Sequence, residues 1–81
     1  MSAAPDWRFD IVGAACPQLP LRLLGLFAQQ NLMPSEVTIR CANDLLDMVV
    51  VQHSLDAHRA EVVAEKMRAL VMVREVRGEQ V

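Results

Sequence analysis

The stretch ACPQLPLRLLGLFAQQNLMPSEVTI, Ala15 to Ile39, decides the fold of this 81-residue chain. It leaves a loop, runs as a helix and ends as a strand, and two prolines, Pro17 and Pro20, stand where the helix begins. Leu19, Leu23, Leu26 and Phe27, with Gln30, recur at three- and four-residue steps, which predicts a helix from about Gln18 to Gln30 with one apolar stripe. Proline is tolerated only in the first turn, because the N–H it lacks has no helical partner there anyway. Pro20 therefore pins the helix start to within a residue or two of Cys16 to Leu19. Asn31 follows the last turn and suits a left-handed C′ position. Beyond the Met33-Pro34-Ser35 connection, Val37, Ile39 and Cys41 alternate with Thr38 and Arg40, the period of a strand over Glu36 to Cys41. Cys41 falls on the inward period of that strand and is expected in the core.

Working outward, Trp7, Phe9 and Ile11 alternate with Arg8 and Asp10, which predicts a half-buried strand over Trp7 to Val12. Gly13 to Pro17 is a loop of small residues. Ala42-Asn43-Asp44 reads as a turn, since Asn and Asp tolerate left-handed geometry. Leu45 to His53 contains Met48-Val49-Val50-Val51, a run that suits a central strand covered on both faces. Asp56 can cap a second helix, Ala57 to Leu70, with Ala60, Val63, Ala64, Met67 and Leu70 as its stripe. Val71 to Val76 is a last strand. The division is a frayed, flexible leader over 1–6, one domain over 7–77 and a tail over 78–81.

The order β-α-β-β-α-β, with right-handed crossovers, gives an α+β fold: a ferredoxin-like sandwich of a four-stranded antiparallel sheet with two helices on one face. The other face is left bare, and a second copy of the chain is its simplest cover. Composition agrees. The chain is 53% hydrophobic, more than one small core needs, so part of that surface is expected against another chain. Self-association, as a dimer or higher, is the expectation.

Several function classes fall away. Eight Lys and Arg lie scattered among ten Asp and Glu with almost no aromatics, which argues against a nucleic-acid surface. No apolar run approaches membrane-spanning length and no signal-peptide pattern opens the chain, so the expected setting is cytoplasmic, away from membranes. Cys16 and Cys41 form neither a disulfide framework nor a metal-ligand spacing, and no cofactor is expected. A metal chaperone of this fold needs two thiols near the first loop, and only Cys16 is there. An RNA-binding version needs stacking aromatics on the first and third strands, and the third has none. An acylphosphatase-like version wants an arginine in the loop that holds Gly13. His53 and His58 have no carboxylate or thiol at ligand spacing, and Asp44 and Asp47 form no acid/base dyad and read as turn-side residues. Met33, Met48, Met67 and Met72 are expected to fill the core. No nucleophile–base–orienter set can be assembled, so an enzyme built at a subunit interface ranks last.

The segment from Ala15 to Ile39 resembles the ACT domain, a small regulatory module that commonly senses amino acids. The family's usual pattern, Asn-x-Pro-Gly-x-Leu, leads into the first helix, which ends in a Gly-Leu-Phe-Ala-like run before a turn and the next strand. Here Pro17 stands at the proline position, Gly25-Leu26-Phe27-Ala28 at the helical run, Asn31-Leu32 at the turn and Val37-Thr38-Ile39 at the strand. Met48 to Val51, Met67-Arg68-Ala69-Leu70 and Val73-Arg74-Glu75-Val76 continue the likeness, which spans about Phe9 to Val76. Within the family the chain looks most like the small regulatory subunit of acetolactate synthase. The departures lie at the helix start: Ala15 replaces the Asn, Gln18 the Gly and Pro20 the Leu. In the family that glycine lets the backbone approach a bound amino acid, with helix-start N–H groups facing its carboxylate.

The resemblance implies an amino-acid site lined by Gly13, Ala14, Ala15, Cys16, Pro17, Gln18 and Leu19 of one chain and by Pro34, Ser35 and Val37 of a neighbour. It also implies a larger biosynthetic enzyme as the regulated partner. Gln18 either meets the ligand's polar end or only solvent, and Cys16 reads as a small loop residue rather than a nucleophile. The alternative is a degenerate domain, with no ligand, kept for dimerisation or for contact with an enzyme.

Overall fold

Alternation of large apolar residues on two adjacent strands builds the core of the chain. A computed structural model describes residues 4–81, so the first three residues of the expected leader lie outside the described residues. The elements are β1 (Trp7–Ala14), α1 (Gln18–Gln29), β2 (Glu36–Ala42), β3 (Leu45–Gln52), α2 (Ala57–Arg68) and β4 (Val73–Gln80). The sheet is antiparallel throughout with order β2-β3-β1-β4, the ferredoxin-like βαββαβ topology. Phe9 pairs with Val50 and Ile11 with Met48, so these four share the helix-facing side. Leu19, Leu23 and Phe27 of α1 and Ala60, Val63, Ala64 and Met67 of α2 close over them, all buried. Phe27 meets Phe9 edge-on at 5.7 Å, a favourable aromatic geometry.

Local signals set the boundaries. Asn43 and Asp44 both have positive φ, 53° and 63°, as a two-residue hairpin between Ala42 and Leu45 demands. Asn31 takes φ 58° after α1, the left-handed exit expected of it. The Asp56 side chain accepts from the Arg59 amide at 2.8 Å and caps α2.

The structure departs from the sequence expectations in definable places. Gly13 and Ala14 belong to β1 rather than to the loop, because Leu46 and Leu45 remain available to pair with them. β4 does not stop at Val76: Gly78, Glu79 and Gln80 continue the ladder against Phe9, Arg8 and Trp7, so the expected tail is strand. The leader is tied down from Pro5 onward. The Leu55 amide donates to the Pro5 carbonyl at 2.8 Å and the Val81 amide to the Asp6 carbonyl at 2.9 Å. The Trp7 indole donates to the Leu55 carbonyl at 2.7 Å. His53 has a carboxylate partner after all, with Nδ1 3.1 Å from Asp6, a residue far away in sequence. Cys41 is exposed, and so is all of β2, because β2 is the sheet edge and no core residue comes from it. Met33 is likewise exposed, while Met48 and Met67 are buried. β3 is covered on one face only: Leu46, Met48, Val50 and Gln52 are buried and the intervening residues face outward.

Two predictions follow from this core and this strap. Phe27→Ala removes a wholly buried ring from the α1–sheet contact and should cost about 3–5 kcal/mol in a urea melt, with the m-value unchanged. The Asp6 carboxyl is held below its ordinary value of 3.8, first by the Ser54 amide and then by His53. A depressed acid stabilises the fold above its unfolded value and loses that contribution as pH falls through the folded one. The melting-temperature gap between wild type and Asp6→Asn should therefore be full above pH 3.8 and shrink in more acid solution.

Candidate functional site

The loop between β1 and α1 is shaped by what Gly13 lacks. A Cβ there would lie 2.6 Å from the Met72 carbonyl oxygen and 2.7 Å from the Leu19 side chain. Its absence lets the segment before β4 close onto the strand end, where the Ala14 amide donates to Met72 at 2.9 Å. The Ala15 amide donates to the Asp44 carbonyl at 3.3 Å, the Cys16 amide to Ala14 at 2.8 Å, and the Leu19 amide to Cys16 at 3.0 Å. Pro17, the N-cap residue, offers no side-chain cap, and neither Pro17 nor Pro20 has an N–H. A helix start ordinarily leaves several amides free for an anion. Here Gln18 is the one residue from 14 to 20 whose amide finds no acceptor among the described residues. Gly13 and Leu19 are buried, Ala14 and Cys16 half-buried, and Ala15, Pro17 and Gln18 exposed.

Pro34, Ser35 and Val37 lie elsewhere. Val37 pairs with Val50, whereas Gly13 pairs with Leu46, four residues further along the same β3. At about 3.4 Å per residue the two groups stand roughly 14 Å apart along the strand. One chain thus brings Gly13 to Leu19 together and leaves Pro34, Ser35 and Val37 at the other end of the sheet. Ser35 is fixed there by its amide, 2.9 Å from the Val51 carbonyl.

The face turned away from the helices is not the bare apolar surface that the sequence pattern implies. Arg8, Asp10, Val12 and Ala14 alternate outward on β1, Leu45, Asp47, Val49 and Val51 on β3, and Glu36, Thr38 and Arg40 on β2. Trp7 and Phe9 point the other way, into the core, which leaves this face without an aromatic ring for stacking a base. Asp47 is not a turn residue. It lies mid-strand, one register step off Asp10, and the Asp10 carboxyl beside it, with burial, raises the Asp47 pKa. Chain order hid this pair, because only the β1–β3 register brings residues so distant in sequence together.

These observations define a class: a small βαββαβ module with a closed loop before its first helix and an open sheet edge. The chain belongs to the ACT-like domain family, whose model matches residues 2–81. Such domains are generally regulatory rather than catalytic in other proteins. Solved structures agree on the fold. The ACT domain from GTP pyrophosphokinase of Chlorobium tepidum has a TM-score of 0.82 at 10% identity, covering 96% of this chain and 100% of that one. An ACT domain protein from Streptococcus pneumoniae has 0.77 at 15% identity, over 95% and 90%. A homoserine dehydrogenase from Thiobacillus denitrificans has 0.80 at 12% identity, over 94% of this chain but 17% of that one. No curated protein matches the chain in sequence. Among the described residues no helix is long and apolar enough to cross a membrane.

The glycine at the loop's base gives a direct test. Gly13→Ala should destabilise the fold by about 1–3 kcal/mol through overpacking, read as a lower urea midpoint, with amide shifts centred on Leu19 and Met72.

Proposed function

We propose that the chain is a regulatory module that self-associates through β2, binds an amino acid at the subunit boundary and adjusts a larger biosynthetic enzyme. The observation that carries this reading is the edge. β2 is unpaired on one side, and its helix-side row continues the core rows: Val37 beside Val50, Ile39 beside Met48, Cys41 beside Leu46. Val37 is 40% and Ile39 47% exposed, an apolar shelf on an open strand edge. The adjoining helix supports it. Leu21 is 66% exposed, and Gly25 sits mid-helix where a Cβ would meet nothing within 4 Å. A glycine there costs about 1 kcal/mol relative to alanine and returns no packing inside the chain.

Antiparallel pairing of two β2 edges about a two-fold axis also fits the split site. It reverses one sheet against the other, so the Pro34-to-Val37 end of the neighbour falls near the end where α1 starts. A ligand held there would shift the balance between two packings of the dimer by no more than its difference in affinity for them. The Gly25-to-Ala28 run, similar to the small regulatory subunit of acetolactate synthase, supports an enzyme partner of that type. So does the homoserine dehydrogenase likeness, where a region of this fold is part of a longer chain.

One observation favours a second reading, an assembly element without ligand. Among the described residues the Gln18 amide is the one from 14 to 20 that finds no acceptor, and the Gln18 side chain stands where the family's glycine opens the notch.

A thermal-shift screen of the twenty amino acids separates the two. A working site gives about 2.7 kcal/mol of stabilisation when ligand is at a hundred times its Kd, so one or two amino acids should raise the melting temperature. A flat screen leaves the assembly role. Ile39→Lys should in either case convert dimer to folded monomer in light scattering, because a charge on the shelf blocks edge pairing. A wild-type monomer at high concentration would refute both.

A further inference from the structure

The open face of the sheet holds charges that neighbour one another, Arg40 being the cross-strand partner of Asp47, without closing a direct ion pair. Arg8 and Arg40 stand at opposite corners of a shallow basin of about 410 Å³, with Thr38, Asp10 and Asp47 between them and Val49 as its floor. Among the described residues, no carboxylate comes within 4.0 Å of either guanidinium. The two acids turn to each other instead, and Asp10 Oδ1 is sealed from solvent with no donor. Arg77, opposite Asp10 on β4, is drawn to Glu75 at 3.9 Å. Thr38, Val49 and Asp10 form one cross-strand row over β2, β3 and β1. That row spans about 10 Å at the usual strand spacing, from a hydroxyl beside Arg40 to a carboxylate beside Asp47.

The occupant follows from the charges. A lone anion would meet the acid pair, and a lone cation the two guanidiniums. A divalent metal lacks ligands as well, since no third His, Cys, Asp or Glu joins the pair among the described residues. A covering protein would strip water from all four charged groups, at several kcal/mol per ion. A small molecule with both charges satisfies both ends and leaves the rim wet. We propose that this basin binds a small zwitterion, its carboxylate on Arg40 and Thr38, its short carbon chain over Val49 and its ammonium on Asp10 and Asp47. This site is separate from the helix-start loop and does not rest on the function proposed above.

The test is an amide-shift titration of the whole chain at neutral pH. The probes are glycine, β-alanine and 4-aminobutyrate, with acetate and methylammonium as single-charge controls. At least one zwitterion should give saturable shifts at Asp10, Thr38, Arg40 and Val49, and neither control should. Asp10→Asn and Arg40→Gln should each weaken that binding by about tenfold or more while the rest of the spectrum stays folded. Shifts confined to Cys16 to Leu19 would locate the probe in the loop and overturn the basin, as would saturation by magnesium or calcium ions alone. Shifts at the basin that follow protein concentration rather than probe would assign the face to a second copy and also overturn it. So would the absence of any saturable shift.

Discussion

The two-residue period of β1 and β3, held in one register, is the constraint on which the rest of the chain depends. Phe9 against Val50 and Ile11 against Met48 put four large apolar side chains of the central pair on one side of the sheet. A slip of one residue would send all four into water and bring Arg8, Asp10 and Asp47 into the core, so the register is strongly specified. The hairpin turn at Asn43-Asp44 fixes β2 to β3 in the same way. From that single choice come the helix layer, the charged outer face and the position of β2 at the edge. The helices reach across β3, β1 and β4 and leave β2 outside the core.

The start of α1 shows how the same chain trades one local property for another. Two prolines and a tight Cys16–Ala14 turn preset the backbone and leave few amides to satisfy, which makes a stable helix entrance without a side-chain cap. The same economy removes the fan of free N–H groups with which a helix terminus usually holds a carboxylate. An amino acid bound there would rely on the Gln18 amide and on whatever a neighbouring subunit supplies. In the proposed dimer the loop would supply one half of the site, by its hydrogen bonding as well as by its position.

Much of this was legible from residue order, and the exceptions have physical causes. The helix stripe Leu19, Leu23, Phe27, the cap at Asp56 and the left-handed Asn31 and Asn43-Asp44 were readable because each depends on neighbours a few residues away. Cys41 is exposed because alternation tells which face a residue takes, not whether anything covers that face, and Met33 because an apolar residue in a connection has no element that must cover it. The Asp6–His53 and Asp10–Asp47 contacts, and the extension of β4 to Gln80, arise from strand pairing across most of the chain and leave no local signature. The open face was expected to need cover because Val49 and Val51 were read without Arg8, Asp10 and Arg40 beside them.

That last point decides which surface of the module suits association. Burying the open face against another protein would desolvate two guanidiniums and two carboxylates, and such penalties commonly exceed what the new ion pairs return. Pairing the β2 edge carries no comparable penalty. Its backbone N–H and C=O groups exchange water for one another, and Val37 and Ile39 leave solvent at about 25 cal/mol per Å² of apolar area. The balance favours side-to-side growth of the sheet with the charged face left in water. In that arrangement the face stays accessible to small solutes whatever the state of the edge, so the two surfaces can serve different partners on one 81-residue chain.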